Sequence, residues 1–145
     1  MKFFVRLLAV SFVVSLVALT AQAKPMDIKT SSPDPKIIIK VVSSNAEIKQ
    51  SNQSCTLTLK YTISNMTEHS IGDYKDSDSP YKFFKPILDI YDKDEFLIAE
   101  KWLAPGGAEI APGQTLRREE QVIFLPSEFK NIRDQAKKIV FQLRR

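Results

Sequence analysis

The sequence predicts an all-β fold, namely a two-sheet antiparallel β-sandwich of about seven strands with one short helix near residues 127–136. Three observations support this prediction. Apolar residues recur at every second position wherever a pattern can be read after Lys36. The periodic runs are rich in β-branched and aromatic residues. Turn-forming residues, such as Pro112-Gly113, separate one run from the next.

The first 23 residues have the organisation of a cleaved secretory signal peptide. Lys2 and Arg6 give a positive start, an uncharged run follows from Leu7 to Leu19, and Ala21-Gln22-Ala23 forms a small-residue cleavage site. A membrane-spanning helix needs roughly 20 apolar residues, and this run has only 13. We therefore expect cleavage after Ala23, a periplasmic or secreted protein, and no membrane insertion once the signal peptide is removed.

Two segments follow the predicted cleavage point. Residues 24–35 contain Pro25, Pro33 and Pro35 among polar residues, which is typical of a flexible leader rather than a packed element. The folded domain is expected to span residues 36–145, a length that can bury a hydrophobic core.

The patterns divide this domain into strands and one helix. In Thr56–Ile63, apolar and aromatic residues alternate with polar residues, which predicts a strand with one buried face. Ile87–Tyr91 and Phe96–Trp102 flank the polar turn Asp92–Glu95, which predicts a β-hairpin. Ser127 is the candidate N-cap of the short helix. The remaining predicted strands are Lys36–Ser43, Thr115–Leu125 and Lys138–Leu143.

Three motifs resemble those of small immunoglobulin-like domains of bacterial secreted proteins. In Leu57–Ile71 a strand ends in Asn-x-Thr, in Ile87–Ile98 a hairpin reads Asp-x-Tyr-Asp, and in Ile110–Thr115 a Pro-Gly-x-Thr turn precedes a late strand. The resemblance covers roughly residues 55–125 and implies an immunoglobulin-like sandwich. It implies no particular activity, because such folds carry many unrelated functions.

Charge and cysteine content exclude several classes of protein. The chain has 21 basic and 17 acidic residues, and removal of the signal peptide leaves 19 and 17, a net charge of +2. Nucleic-acid binding usually needs a strongly basic, clustered surface; here charges of both signs are mixed, so we expect no nucleic-acid partner. Cys55 is the only cysteine, which rules out an internal disulfide or a cysteine-based zinc site. Its place in the strand pattern predicts a buried thiol; an intermolecular disulfide or a reactive thiol is the alternative interpretation.

No pattern predicts a catalytic site or a cofactor. His69, the only histidine, lies in Glu68-His69-Ser70, where neighbouring side chains of an extended chain point to opposite faces. The paired base and nucleophile of a hydrolase are therefore not expected there. Gly-x-Ser-x-Gly elbows, phosphate loops and histidine-based metal motifs are missing from the sequence. The sequence predicts a protein that is not an enzyme.

The acidic loop with Asp73, Asp76 and Asp78 is the candidate metal site. Three carboxylates close in sequence can surround a hard cation such as Ca²⁺. The loop lacks the glycine and the distal glutamate of an EF-hand, and a solvated acidic loop is the competing interpretation.

Aromatic residues form the candidate partner-binding site. Tyr81, Phe83 and Phe84 lie between two prolines with lysines interleaved, and exposed aromatics dominate binding energy at protein interfaces. In the alternative interpretation, Phe83 or Phe84 fills the core and Tyr81 covers its edge. Trp102 precedes a loop at one end of the predicted sandwich, where such folds commonly bind, and burial in the core is again the alternative.

These observations leave three functional hypotheses. The first is an exported, non-enzymatic interaction module that binds a protein partner through an edge strand or end loops. The second is a carrier of a small ligand or of Ca²⁺ that uses the acidic loop. The third is an inhibitor of a secreted hydrolase that presents a loop such as Ala104–Ala108.

Overall fold

A computed structural model describes residues 24–25, 27–49, 53–103 and 109–145. The predicted signal peptide lies outside these described residues, so its cleavage stays a prediction. The described residues form eight strands and one helix: β1 (Lys24–Pro25), β2 (Lys29–Ser31), β3 (Ile37–Lys49), β4 (Ser54–Asn65), β5 (Lys85–Tyr91), β6 (Leu97–Trp102), β7 (Thr115–Phe124), α1 (Pro126–Gln135) and β8 (Lys138–Arg144).

The strands form two four-stranded sheets. Sheet A has the order β1-β3-β4-β7, and sheet B has the order β2-β8-β5-β6. Neighbouring strands are antiparallel, except that β2 and β8 run parallel. The predicted all-β character, with two sheets of mainly antiparallel strands and one short helix, is confirmed.

The hydrophobic core lies between the two sheets. In β4, Leu59 and Ile63 are completely buried, whereas Lys60 between them is exposed. Tyr61 of the same strand meets Phe141 of sheet B, with 4.7 Å between the ring centroids. The period-two pattern of β4 therefore turns its apolar face toward the other sheet, as expected when two sheets pack face to face.

Cys55 lies near the start of β4 and is only 4% exposed. The predicted burial of this thiol is confirmed. Burial raises the pKa of the Cys55 thiol, so the thiol stays protonated and behaves as a small apolar side chain.

Helix α1 contacts both β4 and β6. Phe129 and Ile132 form its buried face, because residues three positions apart lie on the same side of a helix. The helix begins at Pro126, and its N-cap is Leu125 rather than the predicted Ser127. Proline fits the first helical position, where the amide proton that it lacks has no helical partner. Within the described ranges, no helix has the length and apolar character needed to cross a membrane.

The prediction of a flexible leader over residues 24–35 has to be corrected for two short stretches. β1 pairs with β3 and β2 pairs with β8, so the leader joins one edge of each sheet. All three side chains of β2 are exposed. Because backbone pairing rather than apolar burial holds β2 in place, the composition of the segment gave no sign of a strand.

Strand β3 runs well beyond the predicted Lys36–Ser43 and ends at Lys49. A register shift between Val41 and Ser43 marks a β-bulge, and the Val42 side chain there is 66% exposed. One extra residue reverses the alternation of inward and outward side chains. The sequence pattern therefore breaks at the bulge although the strand continues.

Candidate partner-binding surface

Two long connections lie at one end of the two sheets, which we call the loop end. The first, residues 66–84, joins β4 to β5, and the second, described at residues 103 and 109–114, joins β6 to β7. An antiparallel bridge between Ile71 and Ile110 links the two connections, and both isoleucines are buried. Residues 104–108, which include the loop of the hydrolase-inhibitor hypothesis, lie outside the described residues.

Asn65, the last residue of β4, holds the loop end together from the inside. Its side chain is completely buried. Its Nδ2 donates to the carbonyl oxygens of His69 at 2.7 Å and Ile110 at 2.9 Å. Its Oδ1 accepts from the Thr67 amide at 3.0 Å and from the Thr67 hydroxyl at 2.7 Å. The amide group thus uses both of its donors and accepts two hydrogen bonds.

The same residue explains why the Asn-x-Thr and Pro-Gly-x-Thr motifs occur together. Gly113 has a φ of +77°, a left-handed conformation that suits glycine. In this conformation its amide donates to the Asn65 carbonyl oxygen at 2.7 Å. The segment Asn65-Met66-Thr67 also has the sequence of a glycosylation acceptor, but the Asn65 side chain is buried and is used in these internal hydrogen bonds.

The three aspartates of the acidic loop have separate local environments. Asp73 Oδ1 accepts from the Lys75 amide at 2.8 Å, and Asp76 Oδ2 accepts from the Ser70 amide at 3.0 Å. Asp78 is exposed. Among the described residues, no group of three or more His, Cys, Asp or Glu side chains is arranged to hold a metal ion. The Ca²⁺ hypothesis therefore receives no support from this loop.

Tyr81 and Phe84 pack against the edge of the core, where both are partly buried. Their ring centroids are 5.8 Å apart in an edge-to-face arrangement. The Tyr81 hydroxyl donates to Asp34 Oδ2 at 2.6 Å, which ties the loop end to the leader. This hydrogen bond raises the pKa of Tyr81 and lowers the pKa of Asp34. These contacts match the interpretation in which the two rings cover the core.

Phe83, by contrast, turns outward and is 44% exposed. The Lys82 ammonium lies 5.3 Å from its ring centroid, and the Arg145 guanidinium lies 5.1 Å from it. Both distances are within the range of a cation–π interaction. Phe83 is therefore an exposed aromatic ring flanked by positive charge.

Trp102 is the other exposed ring of the predicted set, at 49%. It is the last residue of β6, which is the edge strand of sheet B. In the strand register it lies opposite Ile87 of β5, and paired residues share one face of a sheet. Leu88 and Ile90 of β5 belong to the core cluster and Ile87 does not, so Ile87 and Trp102 lie on the outer face of sheet B, beside the loop end.

A buried acid on that outer face was not identified from the sequence. Asp89 is 1% exposed, and its Oδ1 pairs with Arg144 Nη2 at 3.2 Å. Gln142 Nε2 also donates to Asp89, and Arg144 pairs in addition with Glu100. The hydrogen bond to Asp89 is the largest cause that raises the pKa of Arg144. The available signal was an aspartate inside the otherwise apolar strand segment Ile87–Tyr91.

No protein-family model matches the chain, and no curated protein matches it. Among solved structures, the chain is similar to a conserved hypothetical protein from Bacillus anthracis, with 13% sequence identity and a TM-score of 0.46. That similarity covers 86% of this chain and 93% of the other chain.

Proposed function

We propose that this chain is an exported, non-enzymatic interaction module that binds a protein partner through strand β6 and the neighbouring loop end. The observation that carries the proposal is Trp102, whose ring is about half exposed at the end of an edge strand. Tryptophan is among the residues that contribute most to binding energy at protein interfaces. Phe83 adds a second exposed ring near the same end of sheet B.

The backbone of β6 supports the proposal as well. The Leu103 amide donates to the Pro86 carbonyl oxygen of β5 at 3.0 Å. Hydrogen bonding alternates along an antiparallel pair, so Glu100 and Trp102 direct their N–H and C=O groups away from β5. An extended segment of a partner can pair with these groups, as in other cases of strand addition.

The scaffold we propose is an immunoglobulin-like sandwich. Two four-stranded sheets with a common core support it. In the constant-type immunoglobulin order, the second and third strands lie in different sheets, whereas β3 and β4 form a hairpin within sheet A. The proposed likeness therefore concerns the two-layer architecture, and the strand order is this chain's own.

Export, the other part of the proposal, is supported by the signal-like sequence of residues 1–23. β1 begins at Lys24, directly after the predicted cleavage point. Cleavage after Ala23 therefore leaves every described strand intact.

Site-specific photo-crosslinking tests the binding surface. A photoreactive amino acid replaces Glu100 or Phe83 in the exported protein, and a third variant carries it at Ile123, which is 58% exposed on the edge strand of sheet A. We expect one and the same extracytoplasmic protein to be crosslinked from positions 100 and 83, but not from position 123. Trp102→Ala, added to the first two variants, should remove most of that product.

The control for folding is the Ile123→Ala variant, which truncates a comparably exposed apolar side chain on the other sheet. Both alanine variants should keep the wild-type circular dichroism spectrum. Equal crosslinking from all three positions, or a product that survives Trp102→Ala in a folded protein, would contradict the proposal.

A further inference from the structure

We use the name cationic rim for three cations that lie at the Phe83 ring or close to it in the sequence: Lys82, Lys85 and Arg145. Two of them lie within 5.3 Å of the Phe83 ring centroid. Lys85 is the first residue of β5 and follows Phe83 by two positions. Lys85 and Arg145 are exposed, so their charges face solvent.

The cationic rim lacks carboxylate partners within the part of the chain that the structure describes. The salt bridges found there involve other cations: Lys60, Lys101, Arg118, Arg133, Lys138 and Arg144. The Lys82 ammonium has one long hydrogen bond, to the Ser77 carbonyl oxygen at 3.4 Å. The rim is therefore positive charge that the fold itself does not neutralise.

The strand register places Lys85 directly opposite Arg144 of β8. Arg144 is engaged by Asp89 and Glu100, whereas Lys85 forms no salt bridge among the described residues. Lys85 is therefore the cation of this strand pair that is left for a partner.

The rim is also continuous with Trp102. Trp102 pairs with Ile87, and Lys85 lies two positions before Ile87 on the same face of β5. Such diagonal neighbours on a sheet are roughly 7–8 Å apart, within reach of long side chains. A segment that pairs with the edge of β6 and continues past Trp102 therefore approaches the rim.

We propose that the cationic rim and Trp102 together bind an acidic, extended segment of the protein partner. This inference rests on the proposed function and names the chemistry of its partner. Carboxylates of the segment pair with Lys82, Lys85 and Arg145, an apolar side chain covers Trp102, and the segment's backbone pairs with β6.

A polypeptide fits this surface better than a lipid bilayer or a nucleic acid does. Neither of the latter can use the free backbone groups of β6. Asp76 and Asp78 flank Ser77, which Lys82 contacts, so a broad anionic surface would meet carboxylates beside the rim. A short acidic segment can place its charges on the three cations and avoid those aspartates.

Fluorescence anisotropy tests the inference with a labelled peptide in which a stretch of valines, for pairing with β6 and covering Trp102, is joined to a stretch of glutamates for the rim. The rim variant combines three changes: Lys82→Gln, Lys85→Gln and Arg145→Gln. A matched control variant removes the same charge from exposed lysines elsewhere, by Lys40→Gln, Lys93→Gln and Lys130→Gln. We expect the rim variant to bind about tenfold more weakly than wild type, and the control variant to bind within about twofold of it.

The glutamine–valine analogue of the peptide should bind wild type more weakly than the acidic peptide, and added salt should reduce that difference. Three results would overturn the inference: no binding of the acidic peptide, equal losses in the rim and control variants, or tighter binding to phosphatidylglycerol vesicles or single-stranded DNA. Loss of the crosslinked product with Trp102→Ala but not in the rim variant would overturn this inference and leave the proposed function standing.

Discussion

Asn65 connects the two long connections of the loop end through one buried amide. It reaches the carbonyl oxygens of His69 and Ile110 and accepts two hydrogen bonds from Thr67. A buried polar group that loses its hydrogen-bond partner lowers the stability of the fold by roughly 1–3 kcal/mol. Asn65→Ala removes the partner of several such groups at once. We expect this change to lower the free energy of unfolding by about 3 kcal/mol, measured by urea denaturation.

The control for that measurement is Asn131→Ala, because Asn131 is exposed on α1. Its effect should stay within about 0.5 kcal/mol. Asn65→Asp keeps the size of the side chain but places an acceptor against two carbonyl oxygens, so it should destabilise at least as much as alanine. A loss below about 1 kcal/mol for both Asn65 variants would mean that water replaces the network.

Asp34 and Tyr81 give a prediction about titration. The hydrogen bond from the Tyr81 hydroxyl is the largest cause that lowers the pKa of Asp34 below its ordinary value of 3.8. Tyr81→Phe removes this donor and keeps the ring packed on Phe84. We therefore expect the pKa of Asp34 to rise toward 3.8 in the variant, as followed by NMR titration of its carboxyl carbon. The pKa of Glu128, which is lowered by Lys101 and Leu125 and not by Tyr81, should not change.

At the scale of elements, helix α1 depends on one carboxylate with two roles. Glu128 accepts from the Leu125 amide at 3.0 Å and from the Lys101 ammonium at 2.8 Å. The hydrogen bond from Lys101, then that from Leu125, lower the pKa of Glu128 from 4.5. A carboxylate whose pKa is lower in the folded state stabilises the fold at pH values above its pKa in the unfolded state. This stabilisation is lost as the pH falls through its pKa in the folded state.

Glu128→Gln therefore tests the charge while an acceptor for the Leu125 amide remains. The side chain is 39% exposed, so solvent screening limits the effect to about 0.5–1 kcal/mol at neutral pH. The difference from wild type should shrink below pH 4.5, as followed by thermal melts across the acid range. Glu119→Gln, which breaks the half-exposed pair with Lys60, should show a smaller effect, and a Glu128→Gln deficit that persists in acid would contradict the assignment.

Most strands of the fold could be predicted from the sequence, and those that could not have a physical reason. The hairpin over residues 87–102 and the strand Thr115–Leu125 match β5, β6 and β7 within about two residues, because alternation is a local property of the chain. The strand predicted at Lys36–Ser43 ends too early, because the bulge near Val42 interrupts the alternation. β1 and β2 were missed because strands from distant parts of the sequence hold them in place.

At the scale of the whole molecule, the candidate surface depends on contacts that no local pattern contains. The residue types of Trp102 and Phe83 make both of them candidates, but the position of Trp102 on an edge strand follows from the order of strands in sheet B. Arg144 and Arg145 come within reach of Asp89 and Phe83 only because β8 pairs with β5. The lysines beside Phe83 are evident from the sequence, whereas the contact of Arg145 with the Phe83 ring could not be predicted from it.

The proposed export decides which partners the chain can meet, and it can be tested directly. In a bacterial host, we expect the exported protein to begin at Lys24, as shown by N-terminal sequencing. Small residues at Ala21 and Ala23 are needed for cleavage, so Ala21→Arg with Ala23→Arg should leave the uncleaved precursor. Ala18→Ser, which keeps a small residue away from the cleavage site, should be processed normally. Recovery of the wild-type chain in the cytoplasm with residues 1–23 still attached would remove the basis for an extracytoplasmic partner.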